Sequence, residues 1–187
     1  FAKILVNAFD VTENKSSKIF YDVPAGTWYA PYVLSIASSG LMRGVSENEF
    51  GVGLSLSRQD LAVILKRFLD NENIELSGGT AVVYADSGDI AGYAKEAIEV
   101  ICAKGVMIPR ENNLWEPTAY ATRAEAAMAV YNALMLRKEY NDSLATYPDV
   151  LDELSAKNKE VALNLANNLR KENAVVELND LKTELTG

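Results

Sequence analysis

Apolar residues recur at i, i+3, i+4 and i+7 along much of the first 134 positions, which is the period of a helix with one buried face. Ala30, Val33, Leu34 and Ala37 form one such stripe, and Ala94, Ala97, Ile98 and Ile101 form another. Leu61, Ile64, Leu65 and Phe68 form a third, matched in the same columns by Ala126, Ala129, Val130 and Ala133. The opening Phe1, Ile4, Leu5 and Ala8 carry the pattern of this second kind of helix. The pattern predicts an all-α, mainly helical chain.

The stripes repeat. Residues 20–69 overlay residues 84–134, and Trp28 with Tyr93, Gly40 with Gly105, Phe50 with Trp115 and Arg58 with Arg123 each stand 65 positions apart. Every repeat reads as helix, loop, helix. The first helices end at Gly40 and Gly105, each followed by an apolar residue, Leu41 or Val106, the order of a left-handed cap closed by a hydrophobic contact. The second helices open with Ser57-Arg58-Gln59-Asp60 and Thr122-Arg123-Ala124-Glu125, hydroxyl and carboxylate at capping-box spacing.

These boundaries divide the chain into 1–19, the second helix and linker of a truncated first repeat; 20–79, a second repeat with an Asn- and Gly-rich linker from Asp70 to Gly79; 80–140, a third repeat; and 141–187, a helical extension. In the extension, Leu151, Leu154, Val161 and Leu165 keep a partial seam that Asn158 and Asn168 interrupt. That segment reads as a surface helix or short hairpin on the repeats, or else as a coiled-coil stalk whose polar seam residues fix register.

Composition then removes whole classes of chemistry. The 187 residues contain no His and one Cys, so a His-dependent triad, a His or Cys zinc cage and an internal disulfide are all excluded. A net charge of -8 argues against nucleic acid or an anionic membrane as the main partner. No apolar run has the ~20 residues of a membrane helix. Opening at Phe1 rather than Met, the chain reads as a soluble segment of something longer.

Candidate chemistry centres on Arg58 and Arg123, placed at the first helical position. There the helix dipole is positive and a cation costs about 0.3 to 1 kcal/mol. An anion would offset that cost, because free amides at a helix start and a guanidinium fork together suit a carboxylate or phosphate. Alternatively each Arg ties down its own loop through backbone carbonyls or the nearby Asp22 or Asp86. Aromatics come next: Trp28, Tyr29 and Tyr32 cluster before one helix, while Tyr93, Trp115 and Tyr120 occupy the later repeat. Core packing is the default for such rings, with Trp28 the best candidate for an exposed indole that stacks on a sugar face. Asp70-Asn71-Glu72-Asn73 is a poor calcium loop. Asp60 and Glu125 serve better as caps than as a glycosidase pair, and Cys102 reads as a small core residue.

Together these residues resemble the S-layer homology domain, a repeat that anchors proteins to bacterial cell envelopes. The resemblance covers residues 1 to about 134 and rests on Phe20-Tyr21-Asp22-Val23-Pro24, Trp28, Gly40-Leu41-Met42-Arg43-Gly44, Phe50 and Ser57-Arg58-Gln59-Asp60 in one repeat. In the next it rests on Tyr84-Ala85-Asp86, Gly105-Val106-Met107, Trp115-Glu116-Pro117 and Thr122-Arg123-Ala124-Glu125. It implies three units around a pseudo-threefold axis with grooves between neighbours. It also implies a non-catalytic, extracellular anchoring role without a cofactor or metal. The partner implied is an anionic, pyruvylated secondary cell-wall polysaccharide or modified peptidoglycan, with self-association possible through residues 147–187.

Carried over by column, Arg58 and Arg123 would meet the acidic group. Asp22, Trp28, Gly40 and Gly44 would line one groove, and Asp86, Tyr93 and Gly105 the other. Tyr93 stands where a Trp belongs and Pro109 where a second Gly belongs, so the later groove is expected to be the weaker. The alternative function is a structural lattice or stalk segment that mediates self-assembly.

Overall fold

The computed structural model describes residues 1–12, 19–74 and 83–145. They fold into five α-helices: α1 (Ala2–Ala8), α2 (Ala30–Ser38), α3 (Arg58–Asn71), α4 (Lys95–Ala103) and α5 (Arg123–Ala145). Short 3-10 turns stand at Ser87–Asp89, Gly92–Ala94 and Glu111–Asn113. Among the described residues there are no strands, and two isolated bridges, Ser57 with Tyr120 and Arg110 with Leu114, are the extended pairings. The mainly helical class expected from the periodicity is what is found. The chain divides into two compact units, Phe1–Leu136 and Arg137–Gly187. In the second unit only the end of α5 is described, so the seam expected over residues 147–187 lies outside the described residues.

Within the first unit α1 packs on α2, and α3 packs on α4. Leu61, Leu65, Phe68 and Leu69 of α3 are buried, each stabilising the fold by about 1.5 to 3 kcal/mol of transfer free energy. Phe9 stacks on Phe68 with ring centroids 3.5 Å apart, which ties the end of α1 to α3. One aromatic contact recurs in both repeats: Phe20 lies edge-on to Phe50, and Tyr84 leans on Trp115. The stripe expected for α4, Ala94, Ala97, Ile98 and Ile101, is buried as read.

Two other stripes turn relative to expectation. In α2 the core side is Ala30, Val33 and Ile36, with Leu34 and Ala37 half-exposed. In α1 it is Leu5 and Val6, continued by Phe9, while Phe1 and Ile4 face outward. These helices have seven and nine residues, so one strong contact such as Phe9 on Phe68 sets their rotation more than the average periodicity does. The expected Asp70 linker begins later than composition suggested, because α3 runs through Asn71 and Ile74 is buried.

Caps follow the sequence closely. Gly105 has φ +68°, and its amide and that of Val106 donate to Cys102 and Ile101 carbonyls, closing α4 with paired bonds. Thr122 and Glu125 exchange both bonds of a capping box at α5. At α3 the Ser57 oxygen accepts from the Asp60 amide, and its hydroxyl donates to the Asp60 carboxylate.

Candidate functional site

The start of α3 is not an open anion site. Its first amide, Arg58, donates to the Ala119 carbonyl at 2.9 Å, and its second, Gln59, donates to the Pro117 carbonyl at 3.0 Å. The third goes to Ser57. A loop of the third repeat thus consumes the donors that would otherwise face a ligand.

Arg58 is sealed in the same interface, with 2% of its surface exposed. Nε donates to the Trp115 carbonyl at 2.7 Å, Nη2 to the Ile108 carbonyl at 2.9 Å, and Nη1 to Glu125 Oε1 at 2.6 Å. Its guanidinium carbon stands 4.7 Å from the centroid of the Trp115 ring. Burial pushes the Arg58 guanidinium down from its ordinary range, and Glu125 pulls it back up. The expectation that Arg58 meets a ligand is therefore corrected: it is an anchor between repeats, and it reaches the next repeat's loop rather than its own.

Glu125 also receives two bonds from Arg110, both at 2.8 Å. The Arg110 hydrogen bonds, outweighing the opposing effect of burial, hold the carboxyl down at about 2, so Glu125 stands as an anion between two guanidiniums. Arg123 occupies the equivalent position at α5 but is exposed, and within the described residues it makes no hydrogen bond or ion pair.

Asp22 and Asp86 brace loops. Asp22 accepts from the amides of Phe50, Gly51 and Val52 at 2.7 to 2.9 Å, which together hold its carboxyl below the usual range against partial burial. Asp86 accepts from Trp115 and Glu116. Gly40 and Gly105 cap helices, both with positive φ. Trp115 is fully buried, as the default core reading has it. Cys102 is half-buried beside Tyr84, and burial raises its thiol.

An open groove of about 790 Å³ lies elsewhere, lined by residues of α1, the entry to α2, the turn after it, α3 and Tyr93. Lys3 comes from α1. Trp28, Tyr29 and Tyr32 come from the entry to α2, and Arg43, Gly44 and Val45 from the turn after it. The loop braced by Asp22 supplies Phe50 to Leu56, and one stripe of α3 supplies Asp60, Val63, Ile64 and Arg67. Tyr93 enters from the third repeat and donates to Asp60 Oδ1 at 2.7 Å, a bond that, after desolvation, helps push its phenol up to about 12.

One side of the groove is aromatic, with Trp28 70% exposed and Tyr29 edge-on to it. Lys3 Nζ sits 5.7 Å from the Trp28 ring centroid and 5.2 Å from that of Tyr32, within cation–π range. The other end is cationic. Arg67 donates to the Leu41 carbonyl at 3.1 Å, and burial followed by the neighbouring Arg43 guanidinium holds it below its ordinary range. Gly44 turns here at φ +88°, and a Cβ there would stand 2.6 Å from the Glu49 carbonyl oxygen.

Of the expected site residues, Trp28, Gly44 and Tyr93 therefore share this groove. Tyr93 joins the groove of Trp28 rather than forming a second one. Asp22, Asp86, Gly40, Gly105 and Arg58 serve the scaffold. Lys3, Arg43 and Arg67 were not singled out as ligand cations, yet a column comparison carries a signal: 65 positions on, Arg43 becomes Ile108 and Arg67 becomes Asn132. Asn132 keeps the structural bonds, donating to the Gly105 and Val106 carbonyls, but not the charge.

Residues 19–62 match the S-layer homology domain. The chain is 31% identical over 131 residues to a surface-layer 125 kDa protein of Lysinibacillus sphaericus, covering 68% of this chain and 11% of that protein. It is 27% identical over 151 residues to a cellulosome-anchoring protein of Acetivibrio thermocellus, covering 80% of this chain and 33% of that one. To an amylopullulanase of Thermoanaerobacterium thermosulfurigenes it is 26% identical over 140 residues, covering 72% of this chain and 7% of the enzyme. The chain carries an S-layer homology domain, and it spans well under two thirds of each of these relatives.

Proposed function

We propose that this chain is a non-catalytic module that anchors a longer exported protein to the bacterial cell envelope by holding an anionic wall glycan in the groove between its repeats. The S-layer homology match and the S-layer and cellulosome-anchoring relatives support an extracellular anchoring role. The glycan reading rests on one observation: Arg43 and Arg67 both line an aromatic-walled groove, where burial and then the Arg43 guanidinium disfavour the charge on Arg67. A bound carboxylate relieves that repulsion, and guanidiniums bind carboxylates in bidentate geometry. Trp28 and Tyr32 offer flat apolar faces for a sugar ring beside it. A pyruvylated sugar of a secondary cell-wall polymer unites both features in one ligand.

In the third repeat Ile108 and Asn132 replace the two guanidiniums, so the described residues offer this guanidinium pair in the second repeat and not in the third. Co-sedimentation with purified walls tests the reading. Wild type pellets with intact walls and not with walls stripped of secondary polymer, and Arg67→Ala stays in the supernatant. Equal pelleting with both wall preparations contradicts the glycan assignment.

A further inference from the structure

We draw no further inference here: the strongest candidate, the outward apolar face of α5 at Ala124, Ala127, Met128 and Tyr131, is exposed, and nothing in the structure shows what covers it.

Discussion

Arg58 leaves the second repeat and meets Glu125 of the third, Nη1 to Oε1 at 2.6 Å, while Glu125 is gripped from its other side by Arg110. A residue at a ligand-like position is therefore the main polar tie between two repeats. Removing one partner of a buried pair costs about 3 to 5 kcal/mol, because the groups left behind stay desolvated. Arg58→Ala is expected to lower stability by about 3 kcal/mol in denaturant melts. Arg58→Lys recovers only part of that, since an ammonium cannot serve the Trp115 and Ile108 carbonyls and Glu125 as one planar fork. Arg123→Ala, at an exposed side chain with no hydrogen bond or ion pair among the described residues, should move stability by less than about 0.5 kcal/mol. Equal losses at the two positions would contradict the difference in burial.

Acid should act through Glu125. Its carboxyl is held at about 2, against an ordinary 4.5. A depressed folded value means the stabilisation is complete above the unfolded value and is lost as pH falls from about 4.5 toward 2. Thermal melts across that window should converge for wild type and Glu125→Gln at the acid end and separate toward neutral pH, with wild type the more stable. Parallel curves at every pH would mean that the carboxylate is not stabilising the fold.

Two glycines separate strain from space. Gly40 and Gly44 both have positive φ, but a Cβ at Gly40 meets nothing within 4 Å while one at Gly44 collides with the Glu49 carbonyl. Gly40→Ala should cost about 1 kcal/mol of backbone strain. Gly44→Ala should cost more, about 2 to 3 kcal/mol, as the turn shifts to relieve the clash. Because Gly44 borders the groove beside Arg43, its variant should also weaken wall binding, whereas the Gly40 variant should not. Chemical denaturation and wall co-sedimentation of the two variants check both halves.

Helices, caps and repeat spacing were legible in the sequence because they are set locally. Ser57 and Asp60, Thr122 and Glu125, and Gly105 with Val106 each act within a few residues of one another. The rotations of α1 and α2 were not, because contacts such as Phe9 on Phe68 join residues far apart in sequence. The same reason explains the site. Asp22, read as a groove residue, instead binds amides 28 to 30 positions away, and Arg58 finds its carbonyls and Glu125 50 to 67 positions away. A charge at a helix entrance can be read as a signal, but whether a neighbouring loop has already covered it depends on packing between repeats. Trp28 was legible as an exposed ring because it precedes a helix instead of lying on its apolar stripe.

Stoichiometry follows from the column substitutions. With Ile108 and Asn132 in place of Arg43 and Arg67, titration with a pyruvylated wall fragment should saturate at one ligand per chain. Restoring both cations, Ile108→Arg with Asn132→Arg, is the variant in which a second site could emerge. Two sites in wild type would show that the guanidinium pair is not what defines the groove.

The most direct test places the cations of the groove against the cation at the helix entrance. Titrating the pyruvylated fragment into wild type, Arg43→Ala, Arg67→Ala and Arg123→Ala should give affinities reduced about tenfold or more at positions 43 and 67, the loss of a charge-assisted bond, and unchanged at 123. Full affinity in the Arg43 and Arg67 variants, with loss in Arg123→Ala, would return the anion to the start of α5 and contradict the account.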